Sequence, residues 1–403
     1  MASSPISPTS SRIGCIDALR GFALLGIFLS IINGFNFSPS FAESFDGFYA
    51  NPLSSAWASL RELIISQRFI AIFSFLFGVG VSIQLANFEK SGSDFRPFFL
   101  RRMLVLAGFG LLNITFFFWG EILLIYAAFG LILSLFFRAQ FKTFVVTAVL
   151  VYVLVHPIWV VHFSEPFTAL LKPIVTDRFE VTDVLRIYRN GSFFEMIELR
   201  WREYIALFTY IDEYLRTSFC LMLMGFAFGK FGYLKLFIET IEERRNWLLI
   251  SGALGGILTL FTLITGVYNV SLLVDPPVSI TLSIWRLATT YFYIHLFILL
   301  YQTTPLRPFL NLFSYVGRMS LTNYMLAAFI YTLIYHNVGL GLYAQMPMWT
   351  ELPLALLLYG ICLGLSWKWL SLHRYGPLEW VWRSVSYQRK QPNLIKKVSN
   401  TQP

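Results

Sequence analysis

The chain has 403 residues, 56% of them hydrophobic and only 13% charged. Soluble globular proteins run at about 45–50% apolar and about 25% charged, so the composition excludes a soluble fold and points to an integral membrane protein. Lys and Arg outnumber Asp and Glu by 31 to 22, a net charge of +9; in a membrane protein that excess reads as positive-inside bias, and no basic stripe interleaved with stacking aromatics supports a nucleic-acid partner.

A bilayer core of ~30 Å needs about 20 apolar residues per helix. Apolar runs between polar breaks predict an all-α, polytopic transmembrane bundle of about ten spans, a single unit over residues 13–385. Residues 1–12 read as a disordered cytoplasmic tail. The spans follow at 15–36, 64–86, 100–118, 121–137 and 143–163. The loop 164–204 contains VTDVLRIYRNGSFFEMIELRWREYI, whose apolar residues recur at helical intervals, and is expected to form an amphipathic helix lying on the membrane surface. Five more spans lie at 205–229, 246–267, 281–301, 319–336 and 351–371, and 386–403 is a basic tail. The charged start of the sixth, EYIALFTYIDEYLRTSF, is expected to lie along the interface, leaving CLMLMGFAFG deep. With ten spans, Lys90, Arg101, Arg138, Lys142, Lys230, Arg318 and Lys390 all fall on one side. This places both termini in the cytoplasm.

Ionisable residues inside spans cost several kcal/mol, roughly 2.5–3.5 even on the lenient insertion scale, so each needs a reason. Asp17 and Arg20, three apart at the start of the first span, can pair on one helix face. The pair either anchors the span or lets Arg20 present its fork to an anion from the cytoplasm, with Gly21 admitting a close neighbour. Arg68, Glu121 and Arg286 stand at similar depth on the opposite side. A Glu between two Arg side chains is expected there, either as a structural network or as a polar substrate pocket. His162 and His336 fall at that outer surface and His295 near mid-membrane; His336, beside Asn337 and the GLGL turn, can serve as a general base if it faces Glu121. On the cytoplasmic side, Asn323 in GRMSLTNY can hydrogen-bond across helices, and Glu379 and Arg383 in YGPLEWVWR have the spacing of a helical ion pair. Cys15, Cys220 and Cys362 form no metal-ligand spacing, and no Walker, HExxH or GxSxG motif occurs, so neither a metal nor a permanently bound cofactor is expected.

Taken in order, IDALRGFALLGI, FSFLFGVG, RRMLVLAGFGLL, GEILLIYAAFG, GRMSLTNYML, GLGL and GPLEWVWR resemble the YeiB-like family of bacterial inner-membrane proteins, whose C-terminal half is a domain of unknown function. The DALRG opening also resembles the wider transmembrane acyltransferase group that includes the lysosomal heparan glucosaminide acetyltransferase. That resemblance implies acyl transfer from a cytoplasmic acyl-CoA co-substrate to an extracytoplasmic or lipid acceptor. Arg20, with Arg101, Arg102 and Arg318, then faces the donor's phosphates, and Glu121, His336, Arg68, Arg286 and Asn113 face the acceptor. Two positions depart from the family pattern: Asn113 stands where a His is common, and Glu121 where an Asp is common. The residues alone leave two other readings open, a transporter or flippase of a small or lipidic anion and a non-catalytic scaffold. Small residues in GFGLL, GVG and SGALGG permit a homodimer.

Overall fold

The computed structural model describes residues 10–37, 51–158, 180–234, 241–265, 276–303 and 305–395, with 166, 169 and 170 among them. The described residues form helices and turns, with one isolated bridge between His373 and Leu394. His162 and parts of the 164–204 loop and of both tails lie outside them.

The helices are α1 (Ser10–Asn36), α2 (Pro52–Ile64), α3 (Arg68–Ser91), α4 (Phe95–Phe116), α5 (Leu123–Leu133), α6 (Phe141–Ile158), α7 (Val181–Asn190), α8 (Phe193–Ala206), α9 (Cys220–Lys230), α10 (Ile241–Thr265), α11 (Pro276–Thr303), α12 (Arg307–Arg318), α13 (Ser320–Tyr335), α14 (Glu351–Leu370) and α15 (Pro377–Ser386). Their limits follow from local chemistry. Asn51 accepts from Leu53 N before Pro52 opens α2, Asp94 accepts from Arg96 N at α4, and Ser192 and Glu195 form a reciprocal capping box at α8. Gly92, at φ +66°, closes α3 in the left-handed conformation that glycine adopts without strain.

Among the described residues, six helical stretches are long and apolar enough to cross a membrane: Gly14–Asn36, Pro52–Ser91 (which takes in α2 and α3), Phe95–Phe116, Arg245–Thr265, Ile280–Gln302 and Met348–Leu370. At 1.5 Å per residue, 22 residues reach about 33 Å. Helix also stands at the other four expected spans, but in shorter or interrupted form. α5 has 11 residues and α13 has 16, and α6 is described only to Ile158. The sixth is broken by a π-helical turn, Leu215–Phe219, just before α9.

The interior is apolar and continuous, and α1 lies at its centre against α3, α12, α13 and α14. Two glycine crossings bring backbones together. A Cβ on Gly21 would strike the Phe313 carbonyl of α12 and one on Gly317 the Asp17 carbonyl of α1, which is the close approach expected at Gly21. Gly78 of α3 and Gly225 of α9 make the same arrangement against Met222 and Phe75. We call the end where α1 and α13 begin the near end. At the opposite, far end the buried Glu351 accepts from Asn33 and Asn36 of α1 at 3.3 and 3.2 Å, and from Trp57 and Arg61 of α2, both at 3.1 Å. It thereby ties three helices with one carboxylate.

The amphipathic 181–206 segment differs from its expected form. It folds into the α7–α8 pair, which buries Val184, Ile187, Tyr188, Met196 and Leu199 with Tyr343 and caps the far end of the bundle. The start of the sixth span also differs. Glu213 and Arg216 are 6% and 1% exposed, so these charges face protein rather than the interface.

Candidate functional site

A cavity of about 270 Å³ enters the bundle from the near end. Its mouth is basic, lined by Arg20 of α1, Arg102 of α4, Arg318 of α12 and Arg383 of α15. Arg20 is held by Asp17 at 2.8 Å, the ion pair expected from their spacing. Arg102 sits over the Trp382 ring at 3.7 Å, and Arg383 over the Tyr375 ring at 4.5 Å. The two ring contacts orient the Arg102 and Arg383 forks without neutralising them, an arrangement suited to phosphate or carboxylate.

Beyond the mouth the walls become apolar. Phe73, Phe77, Gly80 and Gln84 line the cavity from α3 and lie on one helical face by their spacing; Leu24 and Ile27 of α1 and Leu106 of α4 complete the shaft. A Cβ on Gly80 would meet no atom within 4 Å. The inner end is formed by Ile122, Leu123, Tyr126 and Tyr324.

Just behind Tyr324 lies Glu121, fully buried. Its carboxylate accepts from the Asn113 amide, from the Leu123 N–H at the start of α5, and from the Tyr324 hydroxyl at 3.2 Å. It has no cationic partner among the described residues. The tight turn after α4 places it there: Phe117 N and Phe118 N both return to the Asn113 carbonyl, and Trp119 Nε1 donates to Gly34 O of α1 at 2.9 Å. The two departures from the family pattern, Asn113 and Glu121, are therefore in contact.

This position separates Glu121 from the arginines expected to flank it. Arg286 instead pairs with Glu213 and with Glu62, the latter at 3.0 Å. Arg68 donates to the Glu62 and Ser66 carbonyls at 2.7 Å and to Thr289 at 3.1 Å, and stacks on Trp285 at 4.1 Å. His336 does not face Glu121 either. It is 2% exposed rather than at a surface, stacked on Tyr188 with ring centroids 4.4 Å apart, and its Nδ1 lies 3.0 Å from Arg200. The far-end cap supplies both partners. His295 is buried beside Tyr291.

At the near end the neighbours Arg101 and Arg102 diverge: Arg101 Nε donates to Ser386 O at 3.1 Å and does not line the cavity. The expected Glu379–Arg383 pair is replaced by a helix cap. Glu379 accepts from Leu321 N at 2.7 Å, Thr322 N at 3.0 Å and Thr322 Oγ1 at 2.6 Å, where the α13 dipole favours negative charge. Burial nevertheless pushes its carboxyl above the ordinary carboxylate value. Asn323 bridges helices as expected, donating to Ser366 at 2.8 Å. The cavity also uses residues that carried no sequence signal. Tyr324 and Tyr126 were indistinguishable from core aromatics, and Gly80 from a packing glycine. No group of three or more His, Cys, Asp or Glu able to hold a metal occurs among the described residues.

Comparison with known proteins fits this architecture. Residues 215–389 match the family model described as "Protein of unknown function (DUF418)". Over nearly the whole chain, the protein is 29% identical to the uncharacterized protein YxaH of Bacillus subtilis (strain 168), covering 95% of this chain and 96% of that one. It is 25% identical to the uncharacterized protein YeiB of Escherichia coli (strain K12), covering 94% and 98%. The chain is similar to these YeiB-like proteins over nearly its whole length. An uncharacterized 39.9 kDa protein from the amylase 3' region of Bacillus acidopullulyticus is similar at 28% identity, over 96% and 97% of the two chains. No solved structure matches. The YeiB-like chain is thus an integral membrane protein of bacterial type, and its relatives' names specify no chemistry.

Proposed function

We propose that this YeiB-like protein is a membrane acyltransferase whose donor, an acyl-CoA thioester, enters the near-end cavity from the cytoplasm. The observation that carries the reading is the cavity's polarity gradient: four arginines at the mouth, an apolar shaft, and the Tyr324–Glu121 pair at its inner end. The mouth suits the donor's phosphates and the shaft its pantetheine and acyl portions. The near end is cytoplasmic in this reading because the basic residues gather there.

Chemically, an acceptor hydroxyl or amine attacks the thioester carbonyl beside Tyr324. Its proton passes through the Tyr324 hydroxyl to Glu121, a C–O or C–N bond forms as the C–S bond breaks, and the thiolate leaves with that proton as free CoA. Asn113 can donate a hydrogen bond but cannot take a proton, so Glu121 is the titratable member of the Asn113–Glu121 pair. The acceptor is a lipid or a small molecule from the far side.

Thermal unfolding of the detergent-purified protein with CoA, acetyl-CoA and longer acyl-CoA tests this, because a ligand that binds only the native state raises its stability by mass action. A saturable upward shift that is lost in Arg20→Ala is expected. A donor that binds without turnover would favour a second reading, transport of a lipidic anion through the same cavity. No shift with any of the three would remove the donor from the account.

A further inference from the structure

A second cavity, of about 390 Å³, lies on another side of the bundle and shares no lining residue with the near-end cavity. It is a groove beside the seam where α10 and α11 pack antiparallel. A Cβ on Gly252 would meet the Phe292 ring at 3.1 Å and one on Gly255 the Thr289 side chain at 3.1 Å, while Trp285 Nε1 donates to Thr259 Oγ1 at 2.8 Å. Trp247, Ile250 and Leu254 line the groove from one face of α10, and Ile284, Leu287 and Tyr291 from one face of α11. Tyr301, near the end of α11, stands against Gly14 at the start of α1, so α11 ends and α10 begins at the near end.

The groove opens sideways. Trp247, Ile250, Leu254 and Ile284 are exposed on the outside of the bundle, and of the apolar part of Arg245–Thr265 only 17% is buried within the protein, against 72% for Gly14–Asn36. In a bilayer that flank faces hydrocarbon. Trp247 follows the charged start of α10 and so stands at headgroup level, and Leu254, seven residues on, lies about 10 Å deeper. The apolar wall does not hold water, and a groove left empty would forfeit dispersion contacts along its length. One lining group is polar and unsatisfied: the Tyr291 hydroxyl makes no hydrogen bond among the described residues. Since its neighbour Phe292 meets Gly252, Tyr291 lies about one helical turn below Trp247. That is the depth of the ester carbonyls of a glycerolipid whose headgroup is level with Trp247.

We propose that this groove binds one glycerophospholipid of the near leaflet, with an ester carbonyl accepting from the Tyr291 hydroxyl and one acyl chain lying along Ile250, Leu254, Ile284 and Leu287. The lipid is a bound partner of α10 and α11 and takes no part in acyl transfer.

The test is native mass spectrometry of the full chain, delipidated in detergent and titrated with a diacyl phosphatidylglycerol, its diether analogue or palmitate. The wild type should retain one diacyl lipid per chain and bind the diether, which lacks the carbonyls, about three- to tenfold more weakly, the worth of one neutral hydrogen bond. Tyr291→Phe should bind both lipids alike, at the wild-type affinity for the diether. Ala288→Phe puts a ring into the groove wall and should lose the retained lipid, whereas Leu357→Phe, on the exposed face of α14, should keep it. If Ala288→Phe fails to fold, the diacyl-to-diether ratio in Tyr291→Phe decides alone. Equal binding of the two lipids by the wild type, or an unchanged ratio in Tyr291→Phe, overturns the proposal. Retention by folded Ala288→Phe would place the lipid elsewhere, displacement by palmitate would make the occupant a single fatty chain, and a lipid-free dimer would make it a second copy of the chain; each refutes it. None of these results bears on acyl-CoA binding, which is read at the other cavity.

Discussion

Gly80→Leu separates binding from folding in a way that few substitutions here can. Gly80 sits in the middle of α3 on the cavity wall, and a Cβ placed there meets no atom within 4 Å. Replacing a mid-helix glycine recovers about 0.5–1 kcal/mol of backbone propensity. The new side chain can also lie against Phe73 and Phe77, so the fold should gain about 1 kcal/mol, a rise of about 1–2 °C in Tm for a chain of this length. The same isobutyl group would fill a sizeable part of a cavity of about 270 Å³. Losing a seat for the acyl portion should weaken donor binding by at least about tenfold, or ~1.4 kcal/mol. The assay is a thermal-shift titration with acetyl-CoA and a longer acyl-CoA, reading the ligand-free midpoint and the saturable shift from the same samples. The expected signature is a higher midpoint with a lost shift. A wild-type shift in Gly80→Leu would show that the ligand does not pass this wall. A lowered ligand-free midpoint would show that Gly80 faces packed atoms.

Other outcomes follow from the same geometry. Arg20→Ala should weaken donor affinity about tenfold or more, since a charge-assisted hydrogen bond is worth about 1.5–3 kcal/mol, whereas Arg101→Ala, whose guanidinium is engaged at Ser386 O, should leave titrated affinity within about twofold. Glu121→Gln should abolish release of free CoA thiol while donor binding persists, and Tyr324→Phe should slow release less completely; loss of binding in both would assign the pair to packing. Glu351→Ala strands Arg61 and Trp57 and should lower stability by about 3–5 kcal/mol, read as a fall in Tm that leaves the ligand shift intact. The Ser192 N–H and hydroxyl, with Arg186, hold Glu195 at about 2. Its contribution is present above the unfolded carboxylate value of about 4.3 and is lost as pH falls toward 2. Protection factors of α7 and α8, taken against the intrinsic exchange rate at each pH, should therefore fall with acidification in the wild type but change less in Glu195→Gln.

How much of this was legible beforehand depended on the range of the interaction. The Asp17–Arg20 pair is local and followed from helical spacing. The cost of Arg68, Glu121 and Arg286 in lipid was equally readable, because it belongs to each residue singly. Their partners were not readable. The turn at Phe117–Ile122 carries Glu121 to Tyr324, whereas Arg286 meets Glu62 and Glu213. Glu213 was hidden because its charged stretch resembles an interfacial helix, whereas in the fold it is buried against Arg286. Arg101 and Arg102, adjacent in sequence, differ by one helical step of about 100°, and the packing of α15 decides which one faces the cavity. The Glu379–Arg383 spacing was correct for an ion pair but lost to the exposed N–H groups of α13, a stronger local demand for a carboxylate.

Equilibrium binding of labelled acetyl-CoA to the wild-type protein in lipid nanodiscs, competed with unlabelled CoA and repeated in Arg20→Ala, tests the central claim most directly. The account predicts saturable binding that free CoA displaces and that Arg20→Ala weakens by an order of magnitude. Binding that neither CoA nor Arg20→Ala alters, or no binding, would contradict it.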